Sequence, residues 1–83
     1  MFDISLLKPG DRIRIVDAWP ADGSAHQVNP MNKFLGQTVT VYCSFPEYRC
    51  IKIQEDSERW NWYPSAIQCK IPIVNAIGVE DLI

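Results

Sequence analysis

Arg59-Trp60-Asn61-Trp62-Tyr63-Pro64-Ser65-Ala66-Ile67 puts two of the chain's three tryptophans and one of its three tyrosines within four residues, directly before a proline. In an extended segment residues i and i+2 project to the same face, so Trp60 and Trp62 make one aromatic face. That face is either the anchor of a small β core or an adhesive surface. Chain length favours the core, because a domain of 83 residues needs every large apolar side chain it has. Trp60 and Trp62 are therefore read as fold-anchoring residues, with Pro64 opening a tight helical turn behind them.

Working outward, Ile67-Gln68-Cys69-Lys70-Ile71 alternates as a strand after that turn, and Glu55-Asp56-Ser57-Glu58 before it reads as a solvated hairpin tip. Tyr48-Arg49-Cys50-Ile51-Lys52-Ile53-Gln54 precedes the tip as another strand, with Ile51 and Ile53 inward. Gln37-Thr38-Val39-Thr40-Val41-Tyr42-Cys43 sets Val39, Val41 and Cys43 on one face and is rich in β-branched residues. The first strand, Arg12-Ile13-Arg14-Ile15-Val16, follows the turn Pro9-Gly10-Asp11. Residues 17–27 have neither period and form a long loop. Asn29-Pro30 then opens a short helical turn over residues 31–35 that ends at Gly36, with Met31, Phe34 and Leu35 inward.

Five short strands at this spacing imply an all-β protein, a small five-stranded antiparallel barrel with one long early loop and a short helical turn. Its expected core is Ile13, Ile15, Val39, Val41, Ile51, Ile53, Ile67 and at least one of Trp60 and Trp62. The chain reads as a single domain over residues 1–83, with the barrel at about residues 8–71 and an apolar extension at 72–83. That extension (Ile73, Val74, Ala76, Ile77, Val79, Leu82, Ile83) and the N-terminal Phe2, Ile4, Leu6 and Leu7 need covering. A homodimer built on the terminal segments is the expectation.

Gly10-Asp11-Arg12-Ile13-Arg14-Ile15, Leu35-Gly36-Gln37-Thr38-Val39-Thr40-Val41, Ile51-Lys52-Ile53-Gln54-Glu55-Asp56 and Trp60-Asn61-Trp62 ahead of Ile67 occur here in an order that resembles small uncharacterised proteins of phages and prophages. More distantly it is similar to the Src-homology-3-like repeats of Mind bomb-type proteins. The resemblance spans about residues 8–71 and implies a Src-homology-3 (SH3)-like barrel with no settled activity. In Src-homology-3 domains the turn before the last strand opens with Pro-Ser and carries a ligand-gripping tyrosine. Pro64-Ser65 matches the opening, but Ile67 stands near the tyrosine's place, and the early loop offers only Asp17 and Asp22 as acids. Recognition of polyproline helices is accordingly not expected.

Eight basic and ten acidic residues are interspersed for a formal charge of −2, so neither nucleic acid nor an acidic membrane surface is an expected partner. No signal-peptide or membrane-span pattern is visible, and the expected location is cytoplasmic. The odd set Cys43, Cys50 and Cys69 is not a secreted disulfide framework. Hairpin register places Cys43 and Cys50 on opposite faces unless a bulge intervenes, so Cys43 and Cys69 read as buried and Cys50 as a surface or half-covered thiol.

His26 is the only histidine and has no carboxylate at a suggestive spacing; no nucleophile and base pair, so the chain reads as not an enzyme. No Cys-x-x-Cys pair nucleates a zinc site, the acidic turn lacks a cation loop's ligand pattern, and no metal or other cofactor is expected. What remains is a non-enzymatic protein-binding module with an unknown protein partner. Its candidate partner-binding residues are Trp19, Pro20, Tyr42, Tyr48 and Tyr63, aromatic anchors being the side chains that dominate interfaces. Trp19 either anchors a partner or folds back over the barrel end. The alternative is a small nucleic-acid-associated barrel of translation or transcription type, using Arg12, Arg14, Lys52 and Arg59 beside Tyr42 and Tyr48.

Overall fold

The computed structural model describes residues 2–72. Four antiparallel strands, β1 (Arg12–Ile15), β2 (Thr38–Phe45), β3 (Cys50–Ile53) and β4 (Ile67–Ile71), form an open sheet in the order β3-β2-β1-β4. Short 3-10 helices at Ile4–Leu6, Asn29–Phe34, Pro46–Tyr48 and Pro64–Ala66 fill the connections. Among the described residues the protein is thus mostly β, as expected, but with four strands where five were expected.

The tryptophan segment contributes a single bridge, Trp62 to Ile51, in which each backbone N–H donates to the other's carbonyl at 2.8 and 2.9 Å. The preceding residues are prevented from joining the ladder. Ser57 and Glu58 are left-handed (φ 58° and 59°), and the Asp56 carboxylate accepts the backbone N–H groups of Arg59 and Trp60. Pro64, two residues later, has no N–H to donate.

The core gathers the side chains the alternation selects. Ile13, Ile15, Val41, Ile51, Ile53 and Trp62 have no exposed surface, Val39 and Ile67 are buried beside them, and Trp60 is half-buried at the edge. Phe34 meets the Trp62 ring edge-on at 5.6 Å between centroids, and Trp19 lies tilted against it at 6.0 Å. The indole N–H of Trp62 donates to Asp56 Oδ2 at 2.9 Å, so the largest core side chain carries its polar atom to a buried partner. Asp56 is 9% exposed and belongs to this centre; the reading of its turn as a solvated tip is corrected. Glu55 is also engaged, its two carboxylate oxygens accepting from Thr40 N and Thr40 Oγ1.

Two bulges alter which residues face the core. Between β2 and β3, Val41 pairs with Ile53 but Cys43 pairs with Lys52, leaving Tyr42 extra. One inserted residue inverts the alternation beyond it. Cys43 therefore shares the outer face with Lys52 and is only half-buried, while Ser44 turns inward and donates to the Ile4 carbonyl. Between β1 and β4, Arg14 pairs with Cys69 and Ile15 with Ile67, leaving Gln68 extra and Cys69 exposed. The expectation of buried Cys43 and Cys69 fails for this common reason. Cys50, expected at the surface or half-covered, is 3% exposed.

The long loop closes at Gly36, whose N–H donates to the Val16 carbonyl at 3.0 Å. Its φ of 72° and an approach of 3.0 Å between Asp17 Oδ1 and any added Cβ leave room only for glycine. At the other end of β1, buried Asp11 accepts from Lys8 N at 3.0 Å and pairs with Lys70 Nζ at 3.4 Å, while its carbonyl accepts from Val41 N. One residue so links the N-terminal turn, β1, β2 and β4.

Ile4 and Leu7 pack into this same core and Phe2 leans on it, so of the N-terminal apolar residues only Leu6 stays largely exposed. Little apolar surface is left there for the expected homodimer. Its other half, residues 73–83, lies outside the described residues.

Trp62→Ala should cost about 3–5 kcal/mol and lower the thermal midpoint sharply, with Trp60→Ala costing less; equal losses would mean the two rings share the core equally.

The Asp11 carboxyl would be raised by burial, but the Lys8 N–H and the Lys70 ammonium outweigh that and hold it below the usual carboxylate range. A folded-state value below the unfolded one means stability present above the unfolded value and lost as pH falls through the folded one. Asp11→Asn should therefore lower the thermal midpoint at neutral pH, and the deficit should shrink on acidification through roughly pH 4 and below.

Candidate functional site

Pro46 opens the short helix Pro46–Tyr48, and Arg49 closes it in the left-handed conformation (φ 57°), which swings Tyr48 out to 70% exposure. Across from it, Tyr63 precedes Pro64 and is held extended (φ −92°, ψ 160°). The long loop supplies His26, itself left-handed (φ 49°), whose ring lies 4.9 Å from that of Tyr63.

These residues border three adjoining concavities. The first, about 430 Å³, is lined by Phe45, Tyr48, Cys50, Lys52, Asn61 and Tyr63. The second, about 320 Å³, shares Tyr48 and Tyr63 and adds Ser24, His26, Arg49, Pro64 and Ser65. Arg49 and Pro64 also border the third, about 280 Å³, with Phe2, Ile4 and Pro46. The shared side chains make one shallow belt centred on the Tyr48 and Tyr63 rings.

Cys50 forms part of its floor. It lies on the same side of the sheet as Lys52, and it is buried because Phe45 and Tyr48, with ring centroids 6.5 Å apart, stand at that end of the hairpin. Burial pushes its thiol up, Cys43 and Glu47 act in the same direction, and Lys52 opposes them. The thiolate, the reactive form, is thereby disfavoured. The three cysteines are free.

Among the described residues no carboxylate lines the first two concavities. Lys52 Nζ donates to the Glu58 backbone carbonyl at 3.2 Å, and Arg49 has no ion pair among the described residues. In the third concavity Asp3 accepts from Ser5 Oγ and Ser5 N, bonds that hold its carboxyl below the usual range. Ser65 Oγ is buried without a hydrogen-bond partner beside the belt.

Of the residues singled out from sequence, Tyr48, Tyr63 and Pro64 come together here. Tyr42, the bulge residue, is 48% exposed but stands outside the belt. Trp19 is half-buried against Trp62 and donates its indole N–H to Asn32 Oδ1 at 2.6 Å, so it folds back over the core; Pro20 is half-buried next to it. Trp60 carries the Arg59 guanidinium over its ring at 5.3 Å. The basic stripe is dispersed, since Arg14 pairs with Asp17 and bonds Gln68 while Arg59 is drawn to Trp60. His26 and Arg49 were missed as belt residues, their placement depending on left-handed backbone that no glycine announces. Pro46 was the one local signal, marking a turn that lifts Tyr48.

Among the described residues no three His, Cys, Asp or Glu side chains form a group able to hold a metal ion, and no helix is long and apolar enough to cross a membrane. Comparison with protein families, curated proteins and solved structures finds no match.

Iodoacetamide should label native Cys69 first and Cys43 more slowly, with Cys50 protected until the protein unfolds. Peptide mapping of a time course reads the order directly.

Proposed function

We propose that this chain is a non-enzymatic protein-binding module that engages its partner through the Tyr48 and Tyr63 belt. The observation that carries this reading is the exposure of Tyr48, at 70% the most exposed large hydrophobic side chain among the described residues, beside a continuous concave surface. Aromatic rings that offer area at low entropic cost are the usual energetic centres of interfaces.

The SH3-like barrel proposed from the sequence resemblance draws support from the topology: a long loop after β1, a β2 to β3 hairpin, a single bridge at Trp62 and a 3-10 turn before β4, with β1 paired to both β2 and β4. A phage or mobile-element origin rests on the same resemblance, and a cytoplasmic setting suits its three free thiols.

Tyr48→Ala removes an exposed ring and should leave the thermal midpoint unchanged while weakening capture of the partner by about tenfold or more. Tyr42→Ala, outside the belt, is the matched control and should retain binding; equal losses from both would move the interface elsewhere.

A further inference from the structure

Resting on the binding-module reading, we infer that the belt takes an extended acidic segment of a partner protein. The chain as a whole carries more acid than base, ten residues against eight. Yet among the described residues the two concavities around the tyrosine pair are bordered by Arg49, Lys52 and His26 and by no carboxylate. Two cations elsewhere are ion-paired, Arg14 with Asp17 at 3.0 Å and Lys70 with Asp11 at 3.4 Å. Arg49 is left without such a partner among the described residues, and Lys52 has only a backbone carbonyl.

The two cations flank the rings. Lys52 lies in the first concavity, Arg49 where the second meets the third, and Tyr48 and Tyr63 stand between them in the shared wall. Arg49 ends the Pro46–Tyr48 turn in the left-handed conformation and Lys52 follows in β3, with Cys50 and Ile51 between them. An extended ligand crossing the belt would present carboxylates to the two cations and apolar side chains to the tyrosine rings between them. Charge complementarity of this kind sets partner choice and encounter rate more than raw affinity. Repulsion between like charges then excludes basic segments.

The test is a titration of the full-length, 15N-labelled protein with blocked hexapeptides Gly-Glu-Pro-Leu-Glu-Gly, Gly-Gln-Pro-Leu-Gln-Gly and Gly-Lys-Pro-Leu-Lys-Gly. The glutamate peptide should shift the amides of Tyr48, Arg49, Cys50 and Tyr63 saturably. The glutamine peptide should bind at least tenfold more weakly and the lysine peptide not measurably, with the preference fading as salt is added. Arg49→Glu should reverse the order, and Lys52→Gln should erase the glutamate preference without reversing it. Equal shifts from all three peptides would overturn the charge inference and leave the belt as a binding surface. Shifts confined to other faces, or displacement of the chain's own Glu80-Asp81-Leu82-Ile83 by the peptide, would also overturn it, the latter by giving the belt to this chain's tail. Silence with every peptide would overturn it too, and the Tyr48→Ala capture experiment then decides separately whether the protein-binding reading stands.

Discussion

The hydrogen bond from the Trp62 indole to the buried Asp56 carboxylate is the contact on which most of this small domain depends. A tryptophan is the largest apolar side chain available, but its N–H must be satisfied if it is to be wholly buried. Asp56 supplies the acceptor, and its two oxygens also take the backbone N–H groups of Arg59 and Trp60. A single carboxylate thus shapes the turn after β3 and fixes the ring around which Phe34, Trp19 and Ile51 assemble. The same arrangement explains why the segment bridges at one residue instead of extending the sheet.

The candidate site follows from how that centre is closed. Once Trp62 is bridged to Ile51, Tyr63 and Pro64 must leave the core directly beside the β2 to β3 turn. The bulge at Tyr42 inverts the end of β2, putting Phe45 on the face of Cys50 and Lys52. The Pro46–Tyr48 turn then raises Tyr48 opposite Tyr63. The ring pair, with Tyr48 exposed and Tyr63 half-buried, is a by-product of three local devices, a bridge, a bulge and a left-handed turn end, and the surface it creates carries positive charge on a slightly acidic chain.

Strand positions and the core were legible because β alternation writes burial into the sequence: Ile13, Ile15, Val39, Val41, Ile51 and Ile53 are where the period places them. The bulges at Tyr42 and Gln68 were not legible, since neither position carries a glycine or proline to mark it, and each inverted the face of a cysteine beyond it. Asp56 was misread for a related reason. Four polar residues in a row look like a solvated turn, and only the tertiary need of an indole six positions later draws one of them inward. At the site, Tyr48 and Tyr63 stood out as aromatics, whereas His26 and Arg49 reach it through backbone conformations that their side chains do not advertise. Trp19, which sequence left open between anchor and cover, lies half-buried against Trp62.

Hydrogen exchange of the Trp62 indole proton tests the central claim most directly. A wholly buried, bonded N–H at the centre of the only core among the described residues should exchange through global unfolding alone, with the same opening free energy as the slowest backbone amides of β1 and β2. Exchange of that proton within the time of the first spectrum, while those amides remain protected, would show that the indole is not held by Asp56 and that the fold is organised from somewhere else.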